Sequence, residues 1–487
     1  MPEPVGSVYS DYGYYYPDRF SVILREGVDV KPGEFLWIIT SEGKVYYQAI
    51  GLYIKRQPAS YEEVILKKGP RMMDEERNFP RVEAEQVGIL RNGRIEPYLG
   101  IITPHQEVYR VEEEDLRNLL APTEDLAIKL GKLYPGEMEI WLRIWDLTRR
   151  GLVVFGGIGS GKTTTLLSII YRLISTIGSI GKPGGIVIDK DYEYGPVLEE
   201  DFGAIAVDMR SASVMPPLEA GEIYNHLRSA LGIHPSSKQA LRLKNAIINA
   251  VGRSKTPITK ELIMDIIREC GFDDESESRF RLLAERYPSV NEEGGTSEYI
   301  VELARNNIVV LDLSSVEDWD ETYIKIKGIL ESTYKQALED RSYGVFILID
   351  EAHLFAPEKG GVSLAEEKPT SSLRKTLKLL STTGPRNGVV PFIATQRPAL
   401  IDKTITTQLG QNLICHRVED IDLERVKEMI GGIAETLKLF PAGRAIVKAT
   451  AAPLPRPIVV DIVAEKHPSS RGMTALDRWL QAPQGND

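Results

Sequence analysis

Hydrophobic positions along the chain change period twice, and the changes divide it. Up to residue 110, short apolar runs rich in β-branched and aromatic residues recur at 20–24, 35–39 and 45–53, separated by turns such as Lys31-Pro-Gly and Glu42-Gly. Runs of this kind predict a small β-barrel over 1–110. A charged stretch around 67–81 interrupts them and reads as a loop or excursion. Over 111–133, Leu116, Leu119, Leu120, Leu126 and Leu130 fall near helical spacing and predict a helical connector.

Over 134–463 the pattern changes again. Strand-like apolar runs at 152–155, 185–188, 308–313, 345–349 and 391–395 alternate with helical segments. The alternation predicts an α/β core whose parallel sheet is covered on both faces. Between about 215 and 300 no comparable strand occurs, so that stretch reads as a helical insertion, and 464–487 reads as a polar tail.

Composition narrows the function classes. At 487 residues the chain exceeds what one core serves, which supports the division above. No apolar run approaches bilayer length, and the N-terminus lacks a basic start and apolar stretch. A cytoplasmic protein without an integral membrane segment is expected. A net charge of -11 argues against a protein that simply coats nucleic acid, yet allows one that grips phosphates through a few local cations. The two cysteines, Cys270 and Cys415, have no paired spacing, and the six histidines show no metal-ligand spacing.

The strongest chemical signal follows the run at 152–155. Gly156-Gly-Ile-Gly-Ser-Gly-Lys-Thr163 fits G-x-x-x-x-G-K-[ST], with a strand before it and a helical run from Thr164 after it. Glycines at Gly156, Gly157, Gly159 and Gly161 let backbone N–H groups, with Ser160, converge on phosphate oxygens. The helix behind them directs its positive end at the same anion. Lys162 suits the β- and γ-phosphates, and Thr163 suits Mg²⁺. The competing reading is a glycine turn between strand and helix.

A second signal closes the run at 345–349 with adjacent carboxylates. Asp350 suits the Mg²⁺ shell, and Glu351 suits a general base for an attacking water. Alone, such a pair also fits a solvated strand cap. His353 fits either a sensor or plain packing. Gln396, at the end of the run at 391–395, either senses the γ-phosphate or serves as a turn residue. The acids after 186–189, Asp189 and Glu193, are weak evidence, since acids after strands commonly cap helices.

Together the barrel, Gly131-Lys-Leu, Gly156 to Thr163, Asp189…Glu193-Tyr194, Asp350-Glu-Ala-His353, Ala394-Thr-Gln-Arg-Pro398 and Phe440-Pro-Ala-Gly-Arg-Ala-Ile-Val447 resemble the HerA family, within the HerA/FtsK group of ring motors. The resemblance implies a RecA-like ATPase core, a homohexamer with ATP between subunits, and DNA, as duplex, in a central pore. It also implies a NurA-type nuclease partner in double-strand-break end resection, docked on the barrel. A neighbouring subunit would supply an arginine to the γ-phosphate, and Arg150, twelve residues before Lys162, matches that position beside Arg149. Where relatives often have Gly-Arg-Lys, this chain has Gly384-Pro-Arg386-Asn, so the second catalytic arginine is either Arg386 or absent.

DNA contacts are less specified. Lys359, Lys368, Arg374 and Lys375 form one basic set, and Lys238, Arg242 and Lys244 in the insertion form another. Each set fits phosphate contact or a solvated helix face. Two other function classes stay open: an ATPase energising DNA import or conjugation-type secretion at a membrane channel, and an assembly subunit that binds ATP with little turnover. The latter sits poorly with an intact Glu351.

Overall fold

The computed structural model describes residues 2–9, 18–54, 80–91, 94–120, 126–210, 217–252, 256–284, 297–454 and 456–468. Most of the charged stretch at 67–81 and most of the polar tail lie outside the described residues.

The N-terminal region is a closed barrel. Its strands are β1 (Pro4–Tyr9), β2 (Arg19–Leu24), β3 (Phe35–Thr40), β4 (Gly43–Ile54), β5 (Pro80–Arg91), β6 (Arg94–Glu96) and β7 (Glu107–Arg110). They pair in the order β2-β1-β7-β3-β4-β5, and β5 pairs back onto β2, while β6 hangs on β5. Alternation along β2, where Phe20, Val22 and Leu24 are buried, fills the interior together with Val8, Leu36, Ile38 and Tyr47.

The helix expected over 111–133 covers only Glu113–Leu120, and Ala127–Leu133 is a strand, β8. The physical reason lies in the local period. Ile128 and Leu130 are buried and Lys129 between them is not, an alternation of two residues that outweighs the looser helical spacing of Leu126 and Leu130.

The core strands are β8, β9 (Glu139–Arg143), β10 (Leu152–Phe155), β11 (Gly184–Asp189), β12 (Ile205–Asp208), then β13 (Pro217–Leu218) and β14 (Thr256–Pro257), which pair within the insertion. They continue with β15 (Ile308–Asp312), β16 (Val345–Ile349), β17 (Val389–Thr395), β18 (Asn412–Cys415), β19 (Arg444–Ala449) and β20 (Ile458–Ile462). All but β13 and β14 form one sheet in the order β12-β15-β11-β16-β17-β10-β18-β19-β20-β8-β9. From β12 to β18 the strands are parallel; from β18 to β9 they are antiparallel, so the expected parallel sheet is a mixed one. The short links β8–β9 and β19–β20 allow only antiparallel return, whereas the parallel strands are joined by helical crossovers.

Two apolar clusters cover the two faces of this sheet. One contains Val153, Ile186 and Ile347; the other contains Val154, Val187 and Leu348. Consecutive residues on opposite faces are both buried, which is why these strands read as unbroken apolar runs. The insertion carries its own core, built by Ile223, Leu227, Leu243, Ile247, Ile263 and Phe280 on helices between Ala220 and Ala284.

Candidate active site

The parallel order sets the site. Strands β16, β17 and β10 are neighbours, with Ile349 beside Ile393 and Phe155 beside Thr395, so their carboxyl ends open on one edge of the sheet. After β10 the chain turns into the helix Lys162–Gly178, whose Leu166, Ile169, Ile170 and Leu173 are buried. The turn needs small residues. A Cβ on Gly156 would lie 2.5 Å from Ser160 Oγ and 2.9 Å from His416 Cβ. Gly161 holds φ +103°, a region that side chains disfavour.

Neighbouring strands anchor this loop. The Gly156 N–H donates to the Thr395 carbonyl at 3.2 Å, the Gly157 N–H to Arg417 at 2.8 Å, and the Gly443 N–H to the Ser160 carbonyl at 3.0 Å. The helix begins at Lys162, where unpaired N–H groups and the macrodipole favour an anion. Ser160 Oγ is buried without a partner among the described residues.

The acids meet the loop directly. Lys162 Nζ donates to Asp350 Oδ1 and lies 3.0 Å from Glu351 Oε1. Thr163 Oγ1 donates to Asp350 Oδ2 at 3.3 Å, and the Glu351 N–H donates to Asp350 Oδ1 at 2.7 Å. Glu351 adopts φ +47°, a left-handed conformation that costs a side-chain-bearing residue about 1–3 kcal/mol. Its second oxygen accepts the Gln396 N–H at 3.4 Å and lies 3.3 Å from His353 Nδ1, which is itself 3.0 Å from Thr395 Oγ1.

Burial and charge pull these groups in different directions. Burial works against the Asp350 carboxylate, but the Lys162 ammonium outweighs it and leaves that carboxyl below its usual range. Burial likewise works against the Lys162 ammonium, and Asp350 and Glu351 outweigh it in turn. Burial pushes the Glu351 carboxyl up, with Lys162 opposing, so its proton affinity is raised, the direction that favours a general base. Burial, then Lys162 and Arg397, push His353 down to about 4, so it is neutral at physiological pH.

A cleft of about 280 Å³ is lined by Gly157, Gly159, Gly161, Lys162, Thr163, Thr164, Asp350, Glu351 and Gln396. The sequence-derived residues therefore converge, with Gly156 and Ser160 just behind the lining. Asp189, Lys190, Asp191 and Glu193 from the end of β11 complete the wall. Asp189 and Glu193 carried two sequence signals, acids after a strand, which are common enough to carry little weight alone, and a place among the segments that resemble the HerA family.

Arg150 and Arg386 lie elsewhere. Arg150 ends the helix Ile144–Arg150 before β10, and Arg386 sits in the turn Gly384–Asn387 before β17. These two elements touch, so both arginines lie at the amino edge of the sheet, opposite the cleft. Arg150 donates to Gln411 Oε1. Arg374 donates to the Pro357 carbonyl at 2.9 Å, Lys368 to Asn225 at 3.3 Å and Arg242 to the Gly271 carbonyl at 3.0 Å. Lys359, Lys375, Lys238 and Lys244 are exposed. Lys368, Arg374 and Lys375 lie on the helix Glu367–Thr383 with Lys359 in the turn before it, Lys238, Arg242 and Lys244 lie on the helix Lys238–Val251, and none of the seven lines the cleft.

Residues 128–332 match the family model described as the central domain of helicase HerA. The chain is 24% identical over 400 residues to the DNA double-strand break repair helicase HerA of Saccharolobus solfataricus, covering 76% of this chain and 74% of that one. It is 23% identical over 400 residues to the same-named protein of Sulfurisphaera tokodaii, covering 75% and 76%. Among solved structures, VirB4 of Thermoanaerobacter pseudethanolicus overlaps 70% of this chain and 97% of its own with a TM-score of 0.47 at 16% identity.

Proposed function

We propose that the chain is an ATPase of the HerA type, and from that premise that it is a DNA-translocating motor driven by ATP hydrolysis in the cleft around Lys162. The observation that carries this reading is the convergence of the glycine loop, Lys162, Asp350, Glu351 and Gln396 on one edge of three adjacent strands.

The chain's own groups fit ATP and Mg²⁺. The hydroxyl of Thr163 and the Asp350 carboxylate, 3.3 Å apart, are the hard oxygen donors that magnesium takes. When bound, the ion would neutralise charge on the transferring phosphoryl group. Lys162, shared between Asp350 and Glu351, is in position to engage the β- and γ-phosphates. Glu351, with its raised proton affinity, takes a proton from the attacking water as the bond to the ADP oxygen breaks. Gln396 lies beside Glu351 and suits the water or the γ-phosphate.

Arg150 acts, in this reading, on a neighbour's ATP. The four residues of β10 separate it from its own loop, a distance of about 13 Å at strand rise, and it lies on the opposite edge. A head-to-tail ring, here a homohexamer, turns that edge toward the next subunit's cleft. Arg386, beside it, is the companion arginine. Duplex DNA would occupy the pore, contacted by some of Lys359, Lys368, Arg374, Lys375, Lys238, Arg242 and Lys244. The barrel would dock a NurA-type nuclease for double-strand-break end resection. Leu99 and Ile101, 87% and 86% exposed on the barrel, support a docking face there.

The test is ATP turnover with and without duplex DNA, alongside a mass measurement of the assembly. DNA-stimulated turnover by a six-subunit particle is expected. A protomer that consumes no ATP with any nucleic acid would overturn the proposal.

A further inference from the structure

The end of β11 approaches the acidic strand through Tyr194, a side chain to which the sequence motifs assign no role. Tyr194 is wholly buried, and its Oη donates to Asp350 Oδ2 at 3.0 Å, the same oxygen that faces Thr163 Oγ1. Asp350 Oδ1 is already engaged by Lys162 and by the Glu351 N–H. The two oxygens of this carboxylate are thus held in distinct roles, one toward the lysine and one toward the hydroxyl pair.

Tyr194 is itself fixed from beneath. Asp189 closes β11, and the two strands run parallel side by side, with Ile188 beside Ile349, so Asp189 and Asp350 leave the sheet together. Asp189 Oδ2 accepts the N–H groups of Tyr194 and Gly195, both at 2.9 Å, and its Oδ1 accepts the Glu193 N–H at 3.0 Å. Three backbone bonds to one buried carboxyl lock the turn that aims the phenol.

We infer that Tyr194, locked by Asp189, is a positioning residue that orients Asp350 Oδ2 against Thr163 Oγ1 as the magnesium-binding edge of the cleft. This rests on the reading of the cleft as an ATP–magnesium site. A phenol that fixes a ligand carboxylate acts as outer-shell partners do in metal sites generally, where losing one costs about 10–100-fold in metal affinity. It leaves the glycine loop and Lys162 untouched, so nucleotide binding without metal should not depend on it.

The experiment compares the full-length protein with Tyr194→Phe and Tyr192→Phe, measuring the affinity for a non-hydrolysable fluorescent ATP analogue in EDTA and across a Mg²⁺ titration. Tyr192 lies in the same turn, but its hydroxyl donates to Glu199 rather than to Asp350. The expected result is unchanged affinity in EDTA for all three. The Mg²⁺ concentration at half effect should rise about tenfold in Tyr194→Phe alone. Circular dichroism and melting of each variant report on the fold. Equal Mg²⁺ dependence in wild type and Tyr194→Phe overturns the inference, as does an equal rise in both variants, which would mark a general loosening of the turn. A wild type whose affinity ignores Mg²⁺ overturns the underlying ATP–magnesium reading as well.

Discussion

If Arg150 serves a neighbour's cleft, two variants that are each inactive should repair one another. Arg150→Ala removes an exposed side chain whose hydrogen bond is to Gln411, so the fold and the variant's own cleft should persist. Turnover should fall about a thousandfold or more, as expected for loss of an arginine finger, with nucleotide affinity little changed. Lys162→Ala removes the cation between Asp350 and Glu351 and should abolish turnover from its own cleft. It leaves its amino edge, with Arg150, intact. In a ring assembled from equal amounts of the two, a working interface needs an intact lysine from one subunit and an intact arginine from the next. Random assembly gives that combination at about a quarter of the interfaces. Mixed subunits should therefore regain turnover on the order of a quarter of wild type, from two parents near zero. The assay is steady-state ATP hydrolysis across mixing ratios, after dissociation and reassembly, with ring formation followed by mass. Rings that form fully but show no recovery at any ratio would refute the trans assignment, as would an Arg150→Ala protein with normal turnover.

Other outcomes follow from the same geometry. Glu351→Gln should keep ATP bound while turnover falls about 10²–10⁴-fold, as for loss of a general base. Turnover within a few-fold of wild type would favour an assembly subunit that uses ATP as cement. Leu99→Asp with Ile101→Asp should leave DNA-stimulated ATP hydrolysis unchanged and weaken co-purification of a NurA-type nuclease; unaltered co-purification would place docking elsewhere. His416, wholly buried with its pKa pushed by burial down to about 4, must gain a proton on unfolding at pH values between there and about 6.5. Its folded pKa is lowered, so its contribution to stability is intact above pH 6.5 and shrinks as pH falls toward 4, by at most about 3 kcal/mol. Denaturant midpoints of wild type and His416→Gln should converge over that window, and parallel curves would contradict the assignment.

What the chain disclosed in advance follows from how local each signal is. The strands at 152–155 and 345–349 are buried on both faces of the sheet, so their apolar runs needed no partner to be recognised. The glycine loop was equally legible, because Ser160 and Lys162 crowd Gly156 from within the loop and Gly161 holds a positive φ, although His416 crowds Gly156 from far along the chain as well. Strand β8 was not legible. Its alternation is short, and pairing with β20, more than three hundred residues later, decides its conformation. The mixed edge of the sheet is in part of the same origin: β8–β9 and β19–β20 are short returns, but β18 with β19 and β20 with β8 pair segments that lie far apart along the chain.

Tyr194 marks the limit most clearly. A tyrosine after a strand end carries no spacing rule, and its hydroxyl acquires meaning only when β16 is laid beside β11. The same holds for Arg150 and Arg386: their sequence separation is large, but β10 and β17 are adjacent and parallel, so the elements preceding them meet at one edge. Because parallel strands put every carboxyl end on one side and every amino end on the other, the sheet itself segregates phosphate-binding groups from the arginines. A subunit built this way cannot bring its own Arg150 to its own Lys162 without breaking β10. If Arg150 acts in the proposed way, completion of the cleft by a second copy would follow from strand direction, and the recovery of activity in mixed rings tests that consequence directly.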